Sequence, residues 1–113
     1  MRLSTAKIWL AIEPVDMRMG VHGLSSLVQN HLGHGVGSGC AYVFSNRSRT
    51  RIKILLWDGT GVWVCQRLLH KGRFAWPECD EQVFEMQTQD WDWLILGMDW
   101  VRWHASVNPE WRV

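Results

Sequence analysis

A chain of 113 residues, 47% apolar and 20% charged, has the size and make-up of one folded domain with a core of its own. Three cysteines, an odd number with no C-x-x-C pair, argue against a disulfide framework and for a reducing compartment. The net charge of +1 hides an uneven distribution: Arg47 to Arg73 holds seven cations and one acid, Asp58, whereas Phe74 to Trp100 holds seven acids and no Lys or Arg.

Lys7 to Ile12 reads as a first short strand, broken by Pro14. Asp16 is positioned to cap a helix from about Met17 to Leu32, with Val21, Leu24, Leu27, Val28 and Leu32 on one face. Gly33, Gly35, Gly37 and Gly39 then form a glycine-rich loop. It lacks a G-K-S/T ending and opens no helix, so it reads as a connection and not as a phosphate loop. Cys40 to Phe44 is a strand and Ser45 to Ser48 a turn. Thr50 to Trp57 and Val62 to Leu69 form a hairpin around Asp58-Gly59-Thr60-Gly61. A further short strand is expected at Phe74 to Trp76, ended by Pro77, and an edge strand at Val83 to Met86. Thr88 is expected to cap a helix running to about Leu96, with Trp91, Leu94, Ile95 and Met98 along one stripe and Gly97 as its stop. The tail from Val101 to Val113 has no clear period and is expected to be partly mobile.

This order predicts an α+β fold. A mainly antiparallel sheet of four to six strands would carry two helices packed on one face, in a single domain spanning residues 1–113. No apolar stretch approaches the roughly 18 residues of a membrane span. Glu13 and Pro14 end the first apolar run too early for a signal peptide, so the expected location is cytoplasmic, with no membrane partner.

The basic hairpin is the main functional signal. Side chains alternate along a strand, so Ile52, Ile54 and Leu56 face one way and Arg49, Arg51, Lys53, Leu55 and Trp57 the other. A three-residue loop, Gly59 to Gly61, would pair Trp57 with Trp63, Leu55 with Cys65 and Lys53 with Arg67. All the cations would then share one face beside Trp57 and Trp63. A two-residue loop would turn Arg67 to the core side, which looks costly. Arg47, Arg49, Arg51, Lys53, Arg67, Lys71 and Arg73 are the candidate phosphate contacts. Trp57, Trp63 and Trp76 are the candidate stacking or packing groups. The same pattern also suits a solvated sheet face, or docking of an acidic partner or the acidic segment of a second copy. With nine Trp in so small a chain, some are expected on the surface. Trp100 and Trp103 are candidate anchors for a protein partner.

The chain offers little for catalysis. His31 and His34 precede Cys40, but a fourth ligand at metal spacing is missing. No Ser or Cys lies in a nucleophile motif. Asp90 and Asp92 are two apart at a helix start and cannot share a face. The expectation is a binding protein with no catalytic residues, no metal and no cofactor.

Several segments resemble one family. Asp16-Met17-Arg18-Met19-Gly20, Gly23-Leu24, Arg51-Ile52-Lys53, Trp57-Asp58-Gly59-Thr60-Gly61, Arg67-Leu68, Lys71-Gly72-Arg73-Phe74-Ala75-Trp76-Pro77 and Leu96-Gly97-Met98-Asp99-Trp100 occur in the order and spacing of the TnpB-type accessory protein. That protein is encoded by the second open reading frame of insertion-sequence-66 elements. The matches run from about Ile8 to Trp100. The resemblance implies a bacterial accessory of DNA transposition, encoded beside a separate transposase that carries the strand-transfer carboxylates. Element-end DNA and the cognate transposase are the implied partners. The end of the chain departs from the pattern: Trp100 to Ala105 is less basic than is usual in the family, which weakens any role of the tail in binding DNA.

Overall fold

The computed structural model describes residues 7–32 and 39–102. Its elements are β1 (Lys7–Ala11), α1 (Val21–Leu27), a π-helical turn (Val28–Leu32), β2 (Cys40–Ser45), β3 (Arg51–Trp57), β4 (Val62–Leu68), β5 (Val83–Met86) and α2 (Thr88–Ile95). The five strands form one sheet in the order β4-β3-β2-β1-β5. Only β1 and β2 run parallel, because the chain between them crosses over through α1; the other neighbours are antiparallel. The fold is α+β, with a mainly antiparallel sheet.

The two helices lie on opposite faces of that sheet, not on one. The strand alternation separates two cores. Ala41 and Val43 of β2 pack with Ile8, Leu10, Ile52 and Ile54 beneath Trp91 and Leu94 of α2. Tyr42 and Phe44 pack with Leu55 beneath Leu24 of α1 and Val28. A central strand buried on both faces needs an unbroken apolar run, and Cys-Ala-Tyr-Val-Phe supplies one. The parallel step from β1 to β2 must carry its connection over one face. The return from β5 drops α2 on the other.

The helices differ from expectation in detail. Asp16 caps no helix. Its carbonyl accepts from Met19 N (3.0 Å) and its carboxylate holds Arg18 through the main-chain N–H (2.8 Å) and the guanidinium (2.8 Å), which closes a turn. The helix starts later, with Gly20 as its N-cap. α2 is capped by Gln87, not Thr88, in a reciprocal box with Asp90. It ends in a Schellman motif: Met98 N donates to Trp93 O (3.0 Å), Gly97 N to Leu94 O (2.9 Å), and Gly97 takes φ 74°.

Phe74 to Trp76 forms no strand. The segment is anchored by side chains instead: Phe74 is buried, and the Trp76 indole donates to Ala11 O (2.9 Å). Trp100 is no surface anchor either. It is fully buried, its indole donating to Ala75 O (2.7 Å) and its ring lying 5.7 Å from that of Phe84. Residues 100–102 are helical. Trp103, most of the tail, His34 and Gly33 to Gly37 lie outside the described residues.

Candidate functional site

The hairpin register decides what the cations can do. Trp57 pairs with Val62, Ile54 with Cys65 and Ile52 with Arg67. The turn closes around Gly59-Thr60, with Asp58 N donating to Gly61 O (3.1 Å) and Gly59 at φ 95°. This is the two-residue alternative, and the Asp58 carboxylate explains it. One oxygen accepts from Thr60 N (2.9 Å), Gly61 N (2.8 Å) and the Thr60 hydroxyl (3.0 Å), and the other from the Trp63 indole (2.7 Å). These donors, the Thr60 amide foremost, hold the Asp58 carboxyl down at about 2.

The consequence for pH follows. A depressed carboxyl contributes its stabilisation above the unfolded value near 4 and loses it as pH falls through about 2. The Trp63 indole N–H resonance should therefore shift with a midpoint near pH 2. An Asp58→Asn chain should show no such step. A Trp63 titration near pH 4 would contradict this geometry.

With this register Arg67 turns to the α2 side, as expected only of the costly alternative. The cost is avoided because β4 is an edge strand. Arg67 reaches past the sheet and donates to Ile95 O (2.6 Å) in the last turn of α2, where a cation meets the negative helix end. Trp57 and Trp63 also part company. Trp57 is half-buried with its ring 6.0 Å edge-on to Tyr42, on the α1 face, while Trp63 is 60% exposed on the α2 face.

The expected all-cationic face is thus divided. Its reason for failing is that α1 covers it: Leu55 is buried there, and Lys53 donates to Met19 O (2.9 Å) ahead of the helix. Arg49 is also committed to the fold. It takes φ 59°, donates to the Ser45 hydroxyl (3.0 Å) and Ile12 O (3.0 Å), and lies 4.9 Å over the Trp76 ring. Burial pushes its guanidinium down, opposed by the charges of Glu13 and Glu78.

The other four cations sit at one end of the hairpin. The β2–β3 turn is held by Asn46, whose side-chain oxygen accepts from Thr50 N (2.9 Å) and Arg51 N (3.1 Å). That leaves Arg47 at the exposed tip. The chain leaving β4 is tied to the same turn by Leu69 N to Thr50 O (3.0 Å) and Phe74 N to Arg49 O (2.7 Å). Between those ties Lys71 and Arg73 are exposed, with Gly72 at φ 78° making the bend, and Arg51 is half-exposed at the start of β3. Arg18 forms an ion pair with Asp16 at 2.8 Å. Arg47, Arg51, Lys71 and Arg73 make no side-chain hydrogen bond or ion pair with any described residue. Exposed His70 lies in the same segment and was not singled out from sequence, where nothing in its neighbours marks it.

The IS66 Orf2-like family model matches residues 6–105, which includes both ends of the hairpin and the Trp100 segment. The chain belongs to the IS66 Orf2-like family. Members are accessory proteins of the insertion-sequence-66 elements, not known enzymes. Two proteins of Sinorhizobium fredii (strain NBRC 101917 / NGR234), y4jC and y4hO, both described as uncharacterized, are each 31% identical to this chain. The first match covers 85% of this chain and 82% of y4jC; the second covers 91% and 90% of y4hO. No solved structure matches. No helix among the described residues of this family member is long and apolar enough to cross a membrane.

Proposed function

We propose that this IS66 accessory protein binds DNA at the element ends through the cationic end of its hairpin, and that it does so without catalysing a reaction. Arg47, Arg51, Lys71 and Arg73 are the phosphate contacts. The observation that carries the reading is that these four cations converge on one end of the sheet and have no intramolecular partner among the described residues. Such groups are free to replace the counterions condensed on DNA. Arg49, Lys53 and Arg67 support the fold and are not contacts. Trp76 and Trp57 are half-buried and Trp63 is at the far end of the hairpin, so base stacking does not form part of the reading.

The test is anisotropy titration of the full chain with element-end DNA across a range of salt. Each phosphate contact contributes about 0.9 to the slope of log affinity against log salt. Arg47→Ala, Lys71→Ala and Arg73→Ala together should lower that slope by roughly 2.7. Lys53→Ala should leave it unchanged. No binding at low salt, or a triple variant with the parent's slope, would overturn the reading. Nuclease-resistant co-purification with the transposase under those conditions would support action through protein contacts.

A further inference from the structure

From the β4 edge of the sheet, which pairs with no strand but β3 among the described residues, we infer that the chain forms a two-fold dimer by antiparallel pairing of β4 with β4 of a second copy, centred on Cys65. This does not rest on the DNA reading. The two edges of the sheet are treated differently. β5 has four residues and carries Glu85 exposed, a common way of blunting an edge. β4 has seven residues, contains no Pro and exposes apolar side chains: Val62 and Val64, Leu68 at 50%, and Trp63. Its one cation, Arg67, is held against Ile95 O.

The register follows from the main chain. Leu69 N donates to Thr50 O and Gly61 O accepts from Asp58 N, so odd-numbered residues of this strand direct their main-chain groups at β3. Even-numbered residues, Val62, Val64, Gln66 and Leu68, direct theirs outward. Two copies exchange hydrogen bonds only where outward residues face each other. Placing Cys65 on the two-fold axis satisfies this over the whole strand: Val62 faces Leu68 of the second copy, and Val64 faces Gln66. Each such pair exchanges two bonds, about eight across the interface.

The side chains in this register are complementary. Exposed Val62 and Leu68 cover one another. Trp63 stands opposite Arg67 of the second copy, a cation over an aromatic face instead of two like charges. A cleft of about 330 Å³ between β4 and α2, lined by Cys65, Arg67 and Ile95, opens on that same face. The symmetric match of apolar with apolar and cation with ring is what selects a second copy as the occupant.

Cys65 supplies the readout. At a non-hydrogen-bonded antiparallel pair the two Cα atoms are about 4.5 Å apart, within the range a disulfide spans. In a full-length chain carrying Cys40→Ser and Cys79→Ser, mild oxidation should give a covalent dimer on a non-reducing gel. The unmodified chain should sediment as a dimer. Val64→Lys with Gln66→Lys sets like charges opposite each other twice and should weaken the dimer roughly tenfold or more. Val64→Lys with Gln66→Glu should restore it, because the opposed pairs become Lys–Glu. Amide exchange needs no variant: protection of Val64 and Gln66 should rise with protein concentration. A monomer at the highest soluble concentration, no Cys65 cross-link, or a dimer indifferent to the Lys pair would each overturn the inference. So would β4 amides protected only on adding a different protein.

Discussion

Trp100→Ala should cost about 3–5 kcal/mol of folding free energy, the range for truncating a buried large aromatic. The indole is fully buried at the α2-side core, packs beside Phe84 and donates to Ala75 O at 2.7 Å. Truncation leaves a cavity and a main-chain carbonyl without this donor. A domain of this size holds roughly 5–15 kcal/mol in all, so the variant should lie near its unfolding threshold. Urea unfolding followed by circular dichroism measures the loss. Trp100→Phe should recover most of the packing and retain the penalty of the missing hydrogen bond, about 1–3 kcal/mol. A near-neutral Trp100→Ala would mean that the segment after α2 does not pack on the sheet. A protein-docking role for Trp100 would instead predict unchanged stability with lost partner binding, and burial argues against that.

Arg49→Ala should cost about 2–3 kcal/mol, although the residue is an arginine in a turn. Its guanidinium ties together three parts of the chain: the end of β1 through Ile12 O, the end of β2 through the Ser45 hydroxyl, and the Trp76 segment through the ring beneath it. Hydrogen bonds from a charged group contribute about 1.5–3 kcal/mol each at most, and partial exposure lowers the sum. Arg49→Lys should recover little, since a point ammonium cannot serve both oxygens while lying flat on a ring. Arg49→Gly should be about 1 kcal/mol more stable than Arg49→Ala, because glycine adopts φ 59° without strain. Thermal unfolding of the three variants gives that order. DNA titration at a temperature where all are folded should show the parent's salt slope, which separates Arg49 from Arg47, Lys71 and Arg73.

The positions of β1 to β5, the apolar side of β3, the Asp58 turn and the Gly97 stop were legible because each depends on neighbours a few residues away, whereas the strand expected at Phe74 to Trp76 did not form. Alternation in Arg-Ile-Lys-Ile-Leu-Leu-Trp and a carboxylate beside Gly-Thr-Gly carry their own explanation. The register of β4 was not legible. It turned on whether Arg67 could tolerate the α2 side, and its acceptor, Ile95 O, lies 28 residues away. The later start of α1 was hidden because Asp16 is equally suited to a cap and to the turn it makes with Arg18.

By itself the sequence determined the α+β class, the family through its ordered motifs, and the concentration of cations between Arg47 and Arg73. Those are properties of local pattern and composition. Only the tertiary structure decided which of those cations are free. Alternation puts Arg51 and Lys53 on the same side of one strand, and nothing in that pattern says that a helix from a distant crossover will cover part of it. Lys53 meets the Met19 carbonyl and Arg49 the Ile12 carbonyl across separations of 34 and 37 residues, and both become supports. Arg47, Arg51, Lys71 and Arg73 meet no such acceptor among the described residues. The basic hairpin face thereby became a basic hairpin end.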